Sequence, residues 1–536
     1  MTTIDAPAGA TTHATGTRPS FVAAIGNWVT SSDHKKIGRL FIGSALLFAL
    51  SPSILGALFG LERMSPNSAS ILDVDAVTQL LALYHFDLVL GVLAPLFLGI
   101  AIAVVPMQVG SRAIAFPRLS QFSYWAWLFG NGLVGISILA NGGPGGGSRD
   151  MVDLYFLGFG LTAVGLIAGS VSVATTVLTS RAPGMTIDDV PPFSWSALVG
   201  SVATILSLPV AISTIIYVYV DHTNKALAMG GNEITTALSW SLGQPQTFIF
   251  IVMALGVLAE IAPVTAKIRQ PLRPVVLTGL ALVTTAVIGS VTQSTHMFDW
   301  ADGNALKTLI PFLLFSGIPL LGVLVTIAVS MLSLKEGRPA INAQFALAAL
   351  GAIMILVGVA GNFLQNVKAA DLAGTSFVEG VTLYIVYGGL LSAIAAISHW
   401  APKLWGRVLP AQKVLGLAGL GLLGTIAASF PLYIAGFGNQ PADALGNFTY
   451  DGPIALWNVV SAIGHAVIAL VVIAFIALLI DAVRNGAQAT DDPWDAHTLE
   501  WAISSPAPSN NFATLAQVGS PEPLLDAKPS SQEVSA

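Results

Sequence analysis

The sequence predicts an all-α protein: a membrane bundle of twelve transmembrane helices with both termini in the cytoplasm. Three observations carry this. The 536 residues are 54% hydrophobic and only 9% charged, with a mean hydropathy of +0.77, which leaves too little polar surface for a soluble globule of this size. Apolar stretches of about 20 residues, the length of helix that crosses about 30 Å of hydrocarbon, recur along the chain. Lysine and arginine alternate strictly between the loops that join them.

The stretches begin near Leu40, Leu80, Leu119, Leu154, Ser194, Leu238, Val275, Leu309, Gln344, Gly380, Val414 and Trp457. Around twelve spans, Lys35, Lys36, Arg39, Arg112, Arg118, Arg181, Lys267, Arg269, Arg273, Lys335, Arg338, Lys403, Arg407, Lys413 and Arg484 fall on the N-terminal side. Only Arg63, Arg149, Lys225, Lys307 and Lys368 fall on the other. Short cytoplasmic loops carry the basic excess, so this asymmetry predicts cytoplasmic termini. Residues 1–35 are polar and rich in Thr, Ala and Gly, and read as a disordered cytoplasmic tail without the pattern of a secretory signal. Residues 36–486 form the membrane domain, and 487–536 read as a mostly extended or disordered tail, rich in Ser and Pro from about Pro506.

Prolines such as Pro95, Pro209, Pro263, Pro319 and Pro431 lie in or near the spans, where neighbouring helices satisfy the freed carbonyls. The net charge of −6 resides mostly in loops and tails, and nothing suggests nucleic acid as a partner. The chain has no cysteine, which excludes disulfides, thiolate metal sites and iron–sulfur clusters. Any metal would be bound through His, Met, Tyr or carboxylates, and the eight histidines become the candidates.

Particular segments resemble subunit I of the haem-copper respiratory oxidases. Ser32-Asp33-His34-Lys35-Lys36-Ile37-Gly38 is similar to the segment before that family's first helix. Val105-Pro106-Met107-Gln108-Val109-Gly110, Ala115-Phe116-Pro117-Arg118-Leu119, Arg181-Ala182-Pro183-Gly184-Met185-Thr186, Trp400-Ala401-Pro402-Lys403 and Asp492-Pro493-Trp494 extend the likeness in the family's order, over about residues 25 to 512. These are loops and helix ends rather than chemistry, so fold and function need separate argument.

For an active enzyme the resemblance implies six histidines: two on a low-spin haem, one on a high-spin haem and three on copper. On the tenth helix the family's His-x-His falls on Gly380 and Thr382, and no histidine occurs between His296 and His399. On the sixth, His-Pro-Glu-Val-Tyr is replaced by Gln244-Pro245-Gln246-Thr247-Phe248. The His-His pair after the seventh becomes Thr295-His296, so His296 is a residual copper ligand in this reading. On the second helix Tyr84 takes the haem-ligand position and His85 follows it, about 100° around the helix. His85 is then either a packing histidine or an axial haem ligand reached by local rewinding, with Asp87 as a neighbouring partner or a wet residue near the interface. The family's proton-entry aspartate and buried lysine fall on Ala113 and about Val323, and Glu260 reads as structural. His465 reads as a packing histidine. His13, His34, His222, His399 and His497 lie in tails, loops or span ends, where exposure is expected.

The sequence therefore predicts a non-catalytic structural, assembly or partner subunit of a bacterial plasma membrane, associated with the aerobic respiratory chain. Its partners would be the lipid bilayer and other oxidase-type membrane subunits. Haem and copper are expected for the family, but no cofactor is predicted here. The rival reading is an oxidoreductase: a terminal oxidase that reduces oxygen with proton translocation, or a remnant that binds one haem or copper through His85 or His296.

Overall fold

In the computed structural model, residues 26–527 are described except 65–71, 73, 226–228, 293–296, 302, 304, 443, 446–447, 449–452 and 515–516. Eleven helices among the described residues are long and apolar enough to cross a membrane. With one shorter apolar helix they are α1 (His34–Glu62), α2 (Ala76–Gln108), α3 (Pro117–Leu139), α4 (Arg149–Thr179), α5 (Pro192–Asn224), α6 (Gln246–Ala266), α7 (Arg273–Gly289), α8 (Ala305–Glu336), α9 (Ala343–Gln365), α10 (Ser376–Trp405), α11 (Ala411–Phe437) and α12 (Ile454–Asn485). The described residues contain isolated β-bridges but no strand.

The structure refines two sequence expectations. The span expected near Val275 is the shorter α7, whose ladder tightens into a 3₁₀ turn at Thr284–Ala286 before the helix resumes at Val287. There the Thr284 and Thr285 hydroxyls donate to the Ala281 and Leu282 carbonyls, competing with the helical ladder. The stretch expected from Leu238 starts later, at Gln246. A separate helix, Gly231–Ser239, precedes it, and Pro245 occupies the N-cap of α6.

Consecutive helices pack in pairs, and α1 meets α12, which closes the ring. Every fourth helix lies inside it. The apolar windows of α2 and α6 are wholly buried and that of α10 is 94% buried, against 33–67% for the remainder. These three touch one another, while the other helices turn Leu, Ile and Phe side chains outward. An outward apolar face suits lipid, which solvates it without cost.

One end of the bundle is covered by residues 487–527, which carry two short helical turns and are otherwise irregular. Composition from Pro506 onward argues for disorder, yet Ala507, Asn511, Phe512 and Val518 are buried. The reason is that basic side chains of the bundle hold the backbone of the segment. Lys403 Nζ donates to the carbonyls of Asp491 (2.7 Å) and Ile503 (2.5 Å), Lys35 to Ser509 (3.1 Å), Lys267 to Trp494 (2.5 Å) and Arg112 to Ala513 (3.2 Å). Lys35, Arg112, Lys267 and Lys403 thus share one end of the bundle. Arg63 and Lys368 sit at the other, bonded to loop residues Ala442 and Asp299.

Candidate functional site

Of the positions at which the resemblance implies ligands, Tyr84, Gly380 and Thr382 lie on the interior helices α2 and α10, whereas Gln244 lies just before α6 and donates to the Phe315 carbonyl at 3.3 Å. On α2, Tyr84 is completely buried and its hydroxyl donates to Glu379 Oε1 of α10 at 3.1 Å. Glu379 Oε2 accepts from Arg63 Nη1 at 2.6 Å, and Arg63 also donates to the carbonyls of Ala442 (2.6 Å) and Ala444 (3.2 Å). Both members of the ion pair are buried, at 3% and 5% side-chain exposure. Such a pair persists only when its remaining donors and acceptors are satisfied, and here two carbonyls and a phenol do this.

A second polar contact lies alongside. Tyr387 of α10 bonds His465 Nδ1 of α12 at 2.7 Å, and the Tyr84 ring stands edge-on to the His465 ring at 6.2 Å. The imidazole lies against Gly56 of α1, where any Cβ would collide with it. The structure thus supplies the partner that His465 lacks in the sequence. At Gly380 a Cβ would lie 2.8 Å from the Tyr433 ring and 2.9 Å from the Ser429 carbonyl. Tyr433 is held there by stacking on Phe377, with centroids 4.0 Å apart. Thr382 donates to the Val378 carbonyl at 3.2 Å.

On α6, Gln246 accepts from Ser207 at 3.3 Å, and Phe248 is fully buried. Gln246 Nε2 and Thr247 Oγ1 find no hydrogen-bond partner among the described residues. His296 lies outside the described residues. Among those described, no group of three or more His, Cys, Asp or Glu is gathered where it could hold a metal ion.

His85 is half-buried, packs on the Tyr84 ring at 5.3 Å, and lines a cavity of about 470 Å³ with Tyr155, Ser239, Leu242, Glu379 and Thr382. Helix α2 does rewind locally, into a π-helical turn over Asp87–Leu93. Asp87, however, is neither wet nor bonded to His85: it is 3% exposed and accepts from Ser51 Oγ at 2.5 Å. The fit to a haem across α2 and α10 can then be judged. Tyr84 and Glu379 bond directly and Tyr433 fills the space at Gly380, so these residues do not fit a porphyrin held between two protein imidazoles.

The expected exposure of three histidines is also corrected: His34, His399 and His497 are each 2% exposed. The C-terminal segment covers all three. His34 bonds the Ile102 carbonyl and Asn511, and His399 stacks on Trp494 at 6.0 Å. His222 is partly exposed and bonds Asp153 at 2.9 Å, and His13 lies outside the described residues. Glu260 accepts from the Phe193 N–H (3.2 Å) and Thr498 (3.3 Å), tying α5 and the C-terminal segment to α6. Beside it Glu500 accepts from Gln108 (3.0 Å) and Trp400 (3.2 Å), and burial holds its carboxyl above the usual carboxylate range.

Sequence reasoning missed the Arg63–Glu379 pair. The available signal was a glutamate at the start of the tenth apolar stretch, where a charge requires a partner.

Comparison with known proteins adds the wider context. The family model described as "Cytochrome C and Quinol oxidase polypeptide I" matches residues 36–467. Cytochrome c oxidase subunit 1 of Bacillus subtilis is 27% identical, covering 93% of this chain and 82% of its own length. That of Alkalihalophilus pseudofirmus is 26% identical, with 94% and 83% covered. That of Bacillus sp. strain PS3 is 27% identical, with 92% and 82% covered.

Proposed function

Because the chain belongs to the cytochrome c and quinol oxidase polypeptide I family, a group of multi-span cell-membrane proteins, we propose that it serves as a non-catalytic structural, assembly or partner subunit associated with the aerobic respiratory chain. The observation that carries this reading is the Tyr84–Glu379–Arg63 link, with Tyr433 against Gly380, where the resemblance implies haem ligands. A core that lost its porphyrins would be refilled in this way, since cavities of that size are destabilising.

The proposal includes twelve spans, with α7 as a crossing. Its support is that Arg338, after α8, bonds the Ala266 carbonyl at the end of α6 (3.0 Å), so α7 and α8 together make a return trip. With the basic side chains gathered at that end, both termini are assigned to the cytoplasm. The division into a tail at 1–35, a membrane domain at 36–486 and a C-terminal segment at 487–536 belongs to the same proposal. So do its partners, the lipid bilayer and other oxidase-type membrane subunits.

A second reading has its own support. The relatives carry the name of an oxidase subunit, and His85 faces a cavity that also reaches Thr382. On this reading the protein is an oxidoreductase, a terminal oxidase that reduces oxygen with proton translocation or a remnant holding one haem at His85 or copper at His296. A reduced-minus-oxidised visible spectrum of the detergent-purified chain, with iron and copper quantified per chain, separates the two. A spectrum without haem bands and metal far below one per chain supports the non-catalytic subunit. Stoichiometric haem overturns it, and His85→Ala and His296→Ala then identify the ligand.

A further inference from the structure

Asp87 is a buried acidic side chain that the proposed function leaves unused. It lies well inside α2, and among the described residues it takes part in no ion pair. Its Oδ2 is bonded by the neutral Ser51 hydroxyl of α1. A carboxyl group buried among helices without a counter-charge either takes up a proton or holds a cation.

The surroundings show where a counter-charge would sit. Asn131 of α3 donates through Nδ2 to the Trp127 carbonyl at 2.9 Å and to Thr162 Oγ1 at 3.4 Å. The Trp127 carbonyl can only accept, which fixes the orientation of the amide. Asn131 Oδ1 is therefore turned away from these partners. It is fully buried and has no hydrogen-bond partner. It converges with Asp87 Oδ1 on the space beside Gly91. A Cβ placed on that glycine would lie 2.9 Å from Asp87 Oδ1 and 3.4 Å from Asn131 Oδ1. Two acceptor oxygens thus flank Gly91, close to where a side chain would begin. The π-helical turn over Asp87–Leu93 sets this face of α2, and Trp127 Nε1 pins it to α3 through the Leu90 carbonyl at 2.8 Å. Turns of this kind recur at functional sites.

We propose that Asp87, Asn131 and Ser51 form a binding site for a small hard monovalent metal cation, of the size of sodium, at the junction of α1, α2 and α3. Asp87 Oδ1 and Asn131 Oδ1 are its ligands, and Ser51 orients the carboxylate from behind. Oxygen-only donors select hard cations over transition metals, and a single carboxylate balances a single charge. The site is independent of haem or copper and stands whichever reading of the family chemistry holds.

The test uses the full chain purified in detergent at fixed pH and ionic strength, with choline chloride exchanged for lithium, sodium or potassium chloride. A ligand that binds only the folded state raises its melting temperature logarithmically once its concentration exceeds its Kd. The expected result is a rise in Tm that is linear in the logarithm of sodium concentration above the Kd, is larger than with potassium and is abolished in Asp87→Asn. Ser51→Ala, which keeps both ligands, should need several-fold more sodium for the same rise. Equilibrium dialysis with radiosodium should find one ion per wild-type chain, and serves if Asp87→Asn fails to fold. Equal Tm in all four salts, the same sodium response in Asp87→Asn, or no bound ion overturns the proposal. So does an infrared band of a protonated carboxyl that Asp87→Asn removes.

Discussion

The two ends of the bundle are held by different chemistry. At the basic end, lysine and arginine side chains grip backbone carbonyls of the C-terminal segment, so many single contacts share the load. At the opposite end one buried ion pair does the same work: Arg63 joins α1 to α10 and to the loop at Ala442 and Ala444. Distributed contacts tolerate the loss of one member. A pair inside the bundle does not, because each partner strands the other. The ion-pair end is also where the resemblance implies haem ligands, so those positions lie in the part of the fold most dependent on single residues.

Breaking the pair should show the largest effect. Arg63→Met leaves Glu379 without its counter-charge, with only the Tyr84 hydroxyl still bonded to it, and should cost about 3–5 kcal/mol, read as a fall in Tm in detergent. The double variant Arg63→Met, Glu379→Leu should recover most of that loss. If the double variant is no better than the single, the ion pair is not what holds this end. Next comes Gly380→Ala, whose new Cβ meets Tyr433 and the Ser429 carbonyl. Overpacking of this kind costs about 1–3 kcal/mol, and Tyr433→Ala in the same chain should relieve the clash if it is the cause. Tyr387→Phe removes the bond to His465 and should cost about 1–2 kcal/mol, with no change in visible absorbance.

The smallest expected effect lies at the basic end and depends on pH. The Glu500 carboxyl is raised from its ordinary 4.5 by burial. A raised acid binds its proton more tightly in the folded state, so it favours folding below 4.5 and this advantage fades as pH rises through the folded value. Glu500→Gln mimics the neutral form. Its Tm should match the wild type in acid and exceed it progressively as pH increases above 4.5. A constant offset across pH would place the charge of Glu500 outside the energetics of this end.

Much of the architecture was legible because lipid imposes a simple rule: a run of apolar residues long enough to cross it. The rule found the helices but not the interruption in α7, where two threonine hydroxyls divert the ladder over a single turn. Nor did it find the late start of α6 at Gln246. The C-terminal segment misled because composition measures what a segment can bury alone, whereas here its backbone is held by residues far away in sequence. The burial of His34, His399 and His497 was hidden for the same reason. At the site, the residues that stand where the resemblance implies ligands could be read one by one. What replaced them could not, because Arg63 and Glu379 stand 316 positions apart and neither announces the other.

The closure of α1 against α12 has a consequence in time. Gly60 lies against Asn458 and Ala462, and Gly56 under the ring of His465, so α1 emerges from the ribosome long before its mate α12. Until α12 is made, the notches at Gly56 and Gly60 face lipid or a chaperone. Arg63, whose backbone carbonyl accepts from Asn458, waits with them. The Tyr387–His465 bond can form only after α12 arrives, and the seating of Trp494 and Phe512 over the basic end follows later still. A nascent chain stalled before α12 therefore presents an unfinished seam, a mark by which membrane quality control could separate it from the completed ring.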